Sequence, residues 1–131
     1  MKKAYLGIKY HSDHRNKEKI EFISSMLEKF GFSTTCITRD IEKWGQIKFS
    51  PNDLMLETFN IIESSNIAVI DLSEKGVGLG IEAGYAYSRQ IPIITISEKQ
   101  KISTTLLGIS QDHIVYDKRD DLIDFFKQAL I

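Results

Sequence analysis

Residues Ile67 to Leu72 read Ile-Ala-Val-Ile-Asp-Leu, and this apolar run of strand length constrains the chain more than any other segment. A run of this kind suits a central parallel strand covered on both faces, because a strand with one wet face alternates instead. The flanking segments agree with that reading. Residues 4 to 8 form a first short apolar strand. A helix pattern follows, with Ile20, Ile23, Met26, Leu27 and Phe30 on one face, Ser12 or Asp13 as a candidate cap, and Gly31 as the stop. Phe32 to Thr38 is rich in β-branched residues and reads as a second strand. Arg39 to Phe49 is charged, carries the single tryptophan, Trp44, and lacks periodicity, so it reads as a functional loop.

Ser50-Pro51-Asn52-Asp53 is a helix start, with Ser50 as cap and Pro51 at the first helical position; that helix runs to about Ser64. After the Ile67–Leu72 strand come the glycine-rich segment at 76–80, another helix, and a strand from Ile91 to Ile96. A short helix over Ser103 to Ile109, a last strand from Ile114 to Tyr116 and a closing helix from Asp120 to Leu130 complete the pattern. Alternating strands and helices on this scale predict a three-layer α/β sandwich, flavodoxin-like or Rossmann-like, with a five-stranded parallel sheet. No repeat, low-complexity stretch or linker interrupts residues 1–131, which are read as one domain.

Bulk properties remove several function classes. Seventeen basic and 18 acidic residues give a formal net charge of -1, so no basic field invites a long nucleic acid or a membrane surface. The single cysteine, Cys36, excludes an intrachain disulfide and a cysteine-rich metal site; within its apolar run it reads as a buried, inert thiol. The N-terminal apolar run is too short for a secretory signal, and no apolar segment has the length of a membrane span, so a cytoplasmic protein is expected.

Ligands of open parallel sheets bind beyond the carboxyl ends of the strands. Here those ends are the loop after Gly7, the Trp44 loop and the Gly76-Val77-Gly78-Leu79-Gly80 segment, where polar residues and glycines collect. The glycine spacing departs from G-x-G-x-x-G and no Gly-Lys-Ser/Thr pair exists, which argues against a dinucleotide turn and excludes a P-loop. The segment offers close backbone approach and amide groups at a helix start. Glu82 is expected in the first turn of that helix, where the dipole favours its ionised form. It reads either as a solvated dipole partner or, given its apolar and small neighbours Ile81, Ala83, Gly84 and Tyr85, as a carboxylate facing a closed pocket.

Val77-Gly78-Leu79-Gly80-Ile81-Glu82-Ala83-Gly84-Tyr85-Ala86 closely resembles the V-G-L-G-x-E-x-G-Y-A signature of nucleoside 2-deoxyribosyltransferases. The related 2′-deoxynucleoside 5′-phosphate N-hydrolases carry a similar G-V-G-x-E-x-G segment. Tyr5-Leu6-Gly7 followed by Ser12-Asp13-His14-Arg15-Asn16-Lys17 is similar to the transferases' Y-F-G and T-D-R-Q-N-K. Ser103-Thr104-Thr105-Leu106-Leu107-Gly108 resembles the hydrolases' S-A-M-I-R-G. The three matches span most of the chain in the right order, and the glutamate signature is the specific one.

The resemblance implies that Glu82 is the catalytic nucleophile and that Tyr5 lies against the sugar and orients the glutamate. It implies that Gly7 and the Gly78–Gly80 loop let the ligand approach the backbone. It implies that Ser103 reaches the 5′-phosphate of a neighbouring subunit's ligand, hence a homodimer or higher homo-oligomer with shared active sites. Two positions depart from the pattern. Where both branches carry an aspartate eight residues before the position of Asn66, this chain has Thr58, with Glu57 or Asp53 nearby; Gly76 replaces a transferase aspartate or a hydrolase serine.

The implied chemistry is cleavage or transfer at the N-glycosidic bond of a small-molecule nucleoside or its 5′-monophosphate through a glycosyl-glutamate. It requires no cofactor and no metal, and His11, His14 and His113 are too scattered for a ligand set. Trp44 and Phe49 read equally as base-stacking rings or as loop packing. Lys9 and Arg15 read as a phosphate clamp, with Arg15 equally a surface cation. Asp71, at the end of the third strand, reads as a base or ribose contact or as a turn cap. Two other functions stay open: a non-catalytic nucleotide-binding module on the same fold, and a flavodoxin-like regulatory or interaction domain.

Overall fold

The computed structural model describes residues 1–98 and 104–130. Five strands form one all-parallel sheet: β1 (Lys2–Gly7), β2 (Phe32–Thr35), β3 (Ile67–Asp71), β4 (Ile93–Glu98) and β5 (Asp112–Tyr116), in the order β2-β1-β3-β4-β5. This is the flavodoxin-like order, in which strand succession reverses between β1 and β3. The crossovers are α1 (Lys17–Lys29), α2 (Pro51–Glu63), α3 (Val77–Ser88) and α4 (Thr104–Leu107), and α5 (Arg119–Ala129) closes the chain.

β3 is buried at every position, as its sequence predicts for a strand covered on both faces. Its side chains divide the interior by the two-residue period of a strand. Ile67 and Val69 join Leu6, Ile20, Ile23 and Phe126 in a core against α1 and α5. Ala68, Ile70 and Leu72 join Tyr5, Ile62, Leu79 and Ala83 in a second core against α2 and α3. Each fully buried Ile or Leu contributes about 1.5–3 kcal/mol, so both layers are held by burial and need no disulfide.

Local signals set several boundaries. The Ser50 hydroxyl accepts from the Asp53 N–H at 3.1 Å with Pro51 at the first helical position, and Gly31 leaves α1 at φ +89°. The start of α1 differs from expectation. Its cap position is Asn16, whose side-chain amide donates to Lys9 O at 2.8 Å, while Asp13 accepts instead from the Arg15 N–H. β2 is shorter than its β-branched run, because Ile37–Ile41 forms a π-helical turn. Among the described residues no helix is long and apolar enough to cross a membrane.

The largest revision concerns the glycine-rich segment. α3 begins at Val77, so Gly78 and Gly80 lie inside the helix, and Glu82 is its sixth residue. Glu82 therefore sits in the second turn, beyond the turn in which the helix dipole acts most strongly.

Candidate active site

Tyr5 and Gly7 lie on the same face of β1, pointing towards α2 and α3, in register with Ala68 and Ile70 of β3. From α3, the Glu82 side chain reaches back across this face. The Tyr5 hydroxyl donates to Glu82 Oε1 at 2.6 Å, joining residues 77 positions apart. Gly7 is required by space: a β-carbon there would lie 2.8 Å from Glu82 Oε1 and 2.9 Å from Ile70 Cδ1. Gly78 lies beside the other oxygen, where a β-carbon would make an ordinary 3.5 Å contact with Oε2.

The Tyr5–Glu82 pair lines a half-open cavity of about 400 Å³ bounded by the end of β1, the π-helical turn and α2. Ile37, Leu54 and Met55 supply apolar wall, and Tyr10, Thr58, Thr38 and Glu42 supply polar groups. Burial pushes the Glu82 carboxyl up to about 7, against a smaller downward pull from the Tyr5 hydroxyl. The sequence expectation was an ionised glutamate favoured by the helix dipole. Desolvation prevails here because the half-buried carboxylate is packed between β1 and α2 and lies past the first helical turn. The Tyr5 hydroxyl is itself held well above its ordinary range, first by burial and then by Glu82, so it stays a donor. A half-buried carboxylate titrating near neutrality, with one fixed hydrogen bond, has the properties of a poised nucleophile or base.

No protein-family model matches this sequence, and no curated protein matches it. Solved structures do. The CMP N-glycosidase of Clostridium botulinum superposes over 97% of this chain and 99% of its own, with TM-score 0.69 and 19% identity. The 2-deoxyribosyltransferase of Bacillus psychrosaccharolyticus covers 98% of this chain and 95% of its own, with TM-score 0.71 and 14% identity. That of Leishmania mexicana covers 98% of each chain, with TM-score 0.68 and 14% identity. The chain has the fold of the nucleoside 2-deoxyribosyltransferases.

Within this deoxyribosyltransferase fold, Tyr5, Gly7, Thr58, Gly78 and Glu82 come together at one cavity. Thr58 is buried, but its hydroxyl donates to Leu54 O at 2.7 Å, so α2 offers the glutamate no carboxylate from that position. The other candidates lie elsewhere. Asp71 points to the α1 side of the sheet, where Lys19 Nζ stands 2.8 Å from its Oδ2 and the Ser73 N–H donates to its Oδ1. This is the turn-capping alternative, with an ion pair added. Arg15 is exposed and paired with Asp13. It borders a second cavity of about 330 Å³ with His11, Lys19 and Glu74, where His11 is hydrogen-bonded to Glu74.

The Lys9 side chain runs beside Gly76, 3.4 Å from where a β-carbon would stand. Trp44 packs as loop anchor: it meets His14 edge-to-face at 5.4 Å, and Lys17 Nζ lies 4.9 Å from its ring centre. Phe49 is exposed. A β-carbon at Gly80 would touch nothing within 4 Å, so no close approach explains that glycine. Ser103 lies outside the described residues. Cys36 is buried and its thiol is pushed up to about 11, in keeping with an inert role.

Two cavity residues escaped the sequence reading, Thr38 and Glu42. Thr38 belongs to the run that reads as strand, and Glu42 to the charged loop, where the aromatic rings Trp44 and Phe49 are the more conspicuous candidates. A larger cavity of about 650 Å³ opens near the start of β4, beside Ile91, Ile93 and Gln111, but no carboxylate, histidine, cysteine or amine lines it. Among the described residues no group of three or more His, Cys, Asp or Glu side chains is placed to hold a metal ion.

Proposed function

We propose that this chain cleaves or exchanges the N-glycosidic bond of a (deoxy)nucleoside or its 5′-monophosphate, with Glu82 as nucleophile. The observation that carries this reading is the Tyr5–Glu82 pair, a half-buried carboxylate oriented by one hydroxyl in the lining of a half-open cavity. A carboxylate oxygen of Glu82 attacks the anomeric carbon as the carbon–nitrogen bond breaks. The bonding pair leaves with the base nitrogen, which takes up a proton, and a glycosyl-Glu82 ester remains. Water, losing a proton, or the nitrogen of a second base then attacks the same carbon and releases Glu82 as carboxylate. Tyr5 holds one glutamate oxygen in place and leaves the other free to attack. The resemblance in the Val77–Ala86 segment and the shared fold support the same chemistry.

The decisive experiment is chromatography of free base after incubation with deoxynucleosides and their monophosphates, with and without an acceptor base. Base release that disappears in Glu82→Ala supports the reading, and equal release by that variant overturns it. A non-catalytic nucleotide-binding module is the second reading, favoured by Thr58, whose bonding to Leu54 leaves the cavity without a carboxylate from α2. Ligand binding without base release would establish it. We also propose, through Ser103, a homo-oligomer with shared active sites; sedimentation as a 15.0 kDa monomer would contradict that.

A further inference from the structure

Glu42 and Thr38 stand about one turn apart on the π-helical segment after β2, and with Ile37 they border the cavity that holds Glu82. The backbone around Glu42 is fixed on both sides. Its N–H donates to Ile37 O at 2.9 Å, and its carbonyl accepts from the N–H groups of Gly45 and Ile47, each at 3.0 Å. The chain then leaves the turn through three consecutive left-handed residues, Lys43 (φ 48°), Trp44 (φ 56°) and Gly45 (φ 86°). Left-handed conformations at two non-glycine residues are costly and gather at sites where a side chain must be aimed. Here they stop the π-helical turn at Glu42.

The side chains, by contrast, make no hydrogen bond among the described residues, and His14 is the charge partner that acts on the Glu42 carboxylate. Among the described residues neither the Glu42 carboxylate nor the Thr38 hydroxyl has a hydrogen-bond partner, although Glu42 is half-buried and Thr38 is 7% exposed. Burial raises the Glu42 carboxyl above its ordinary range. Polar groups that face a cavity without a protein hydrogen bond are free to bond a ligand that enters it. Glu82 lines the same cavity, with Ile37, Leu54 and Met55 as its apolar wall. A nucleoside presents a sugar carbon, a flat apolar ring and a polar base edge, which matches that division.

Resting on the nucleoside reading of Glu82, we infer that Glu42 and Thr38 read the edge of the base and select bases carrying an exocyclic amino group over their keto counterparts. An ionised carboxylate can only accept, so it takes an N–H from the amino group of cytosine or adenine. The Thr38 hydroxyl donates to the adjacent unprotonated ring nitrogen. In uracil or hypoxanthine a carbonyl oxygen faces Glu42, and two acceptors oppose each other with no proton between them. Thr38 accepts the ring N–H of those bases equally well, so discrimination lies with Glu42.

The test uses matched pairs that differ only at this group: deoxycytidine against deoxyuridine, and deoxyadenosine against deoxyinosine. In the parent, kcat/KM for base release should favour the amino member by about tenfold or more, the scale of one good base-edge contact. Glu42→Gln, whose amide both donates and accepts, should bring each ratio to within about threefold. Thr38→Val should lower both members together and keep the ratio. Calorimetric binding of the same nucleosides to a Glu82→Gln variant, with and without Glu42→Gln, reads the preference without turnover.

Base release with no amino preference in the parent, or with a preference unchanged by Glu42→Gln, overturns this inference and leaves Glu82 in its role. A Thr38→Val variant that removes the ratio, or a Glu42→Gln variant that alters ribose against deoxyribose instead, also overturns it. An amino preference in binding that Glu42→Gln removes, with no base release from any substrate, supports the inference and overturns catalysis by Glu82. Neither binding nor release overturns both.

Discussion

Gly7 and Glu82 share one space: a β-carbon on the first would stand 2.8 Å from Oε1 of the second. Ile70 Cδ1 blocks the other side at 2.9 Å, so the glutamate cannot be displaced in that direction without disturbing the core. Gly7→Ala should therefore push the carboxylate off the Tyr5 hydroxyl. We expect base release to fall by at least tenfold, with a stability loss of about 1–3 kcal/mol from overpacking. Kinetics and urea unfolding of this single variant check both numbers.

Glu82→Gln should have no activity yet be more stable than the parent in alkaline solution. The folded-state carboxyl titrates at about 7 and an unfolded glutamate near 4.5, so the folded protein retains a proton that the unfolded chain has released between those values. Stability from this group is fully present below pH 4.5 and is lost as pH rises through 7. A shift of this size corresponds to roughly 3 kcal/mol above pH 7, as an upper figure. Unfolding of parent and variant at pH 4.5 and pH 8 should show a gap that grows with pH; a constant gap would contradict a desolvated, titrating carboxylate.

Tyr5→Phe removes the hydrogen bond that pulls the Glu82 carboxyl down, leaving burial unopposed. The glutamate should then ionise at higher pH, and the acid limb of the kcat/KM profile should move upward. The stability cost should be modest, about 1 kcal/mol. An acid limb that stays in place would separate Tyr5 from the ionisation of Glu82.

Lys19→Met tests whether Asp71 serves the fold alone. Asp71 is 1% exposed, and removing Lys19 strands its charge in the interior. We expect a loss of about 3–5 kcal/mol in unfolding free energy, the range for breaking a buried pair. Base release per folded molecule should be unchanged, because this pair lies on the α1 side of the sheet and Glu82 on the other. A selective fall in kcat without loss of stability would return Asp71 to the reaction.

The sequence by itself determined the layer plan and the central pair. The run from Ile67 to Leu72 can be satisfied only by cover on both faces, and alternating helical and strand patterns then leave few ways to arrange one parallel sheet. Tyr5 and Glu82 were legible because their neighbours form short motifs, and motifs are local. Charge and geometry at a distance were not. The ionisation of Glu82 was decided by tertiary burial, since a helix dipole weakens after the first turn while desolvation depends on what α2 and β1 place around the carboxyl. Asp71 was assigned to Lys19 by the pleat of β3, which turns its side chain away from Ile70 and towards α1. Glu42 and Thr38 reached the cavity because a π-helical turn and three left-handed residues redirect the chain after β2. No residue pattern along 39–49 encodes that redirection, because its energy comes from the body of the fold on which the segment rests.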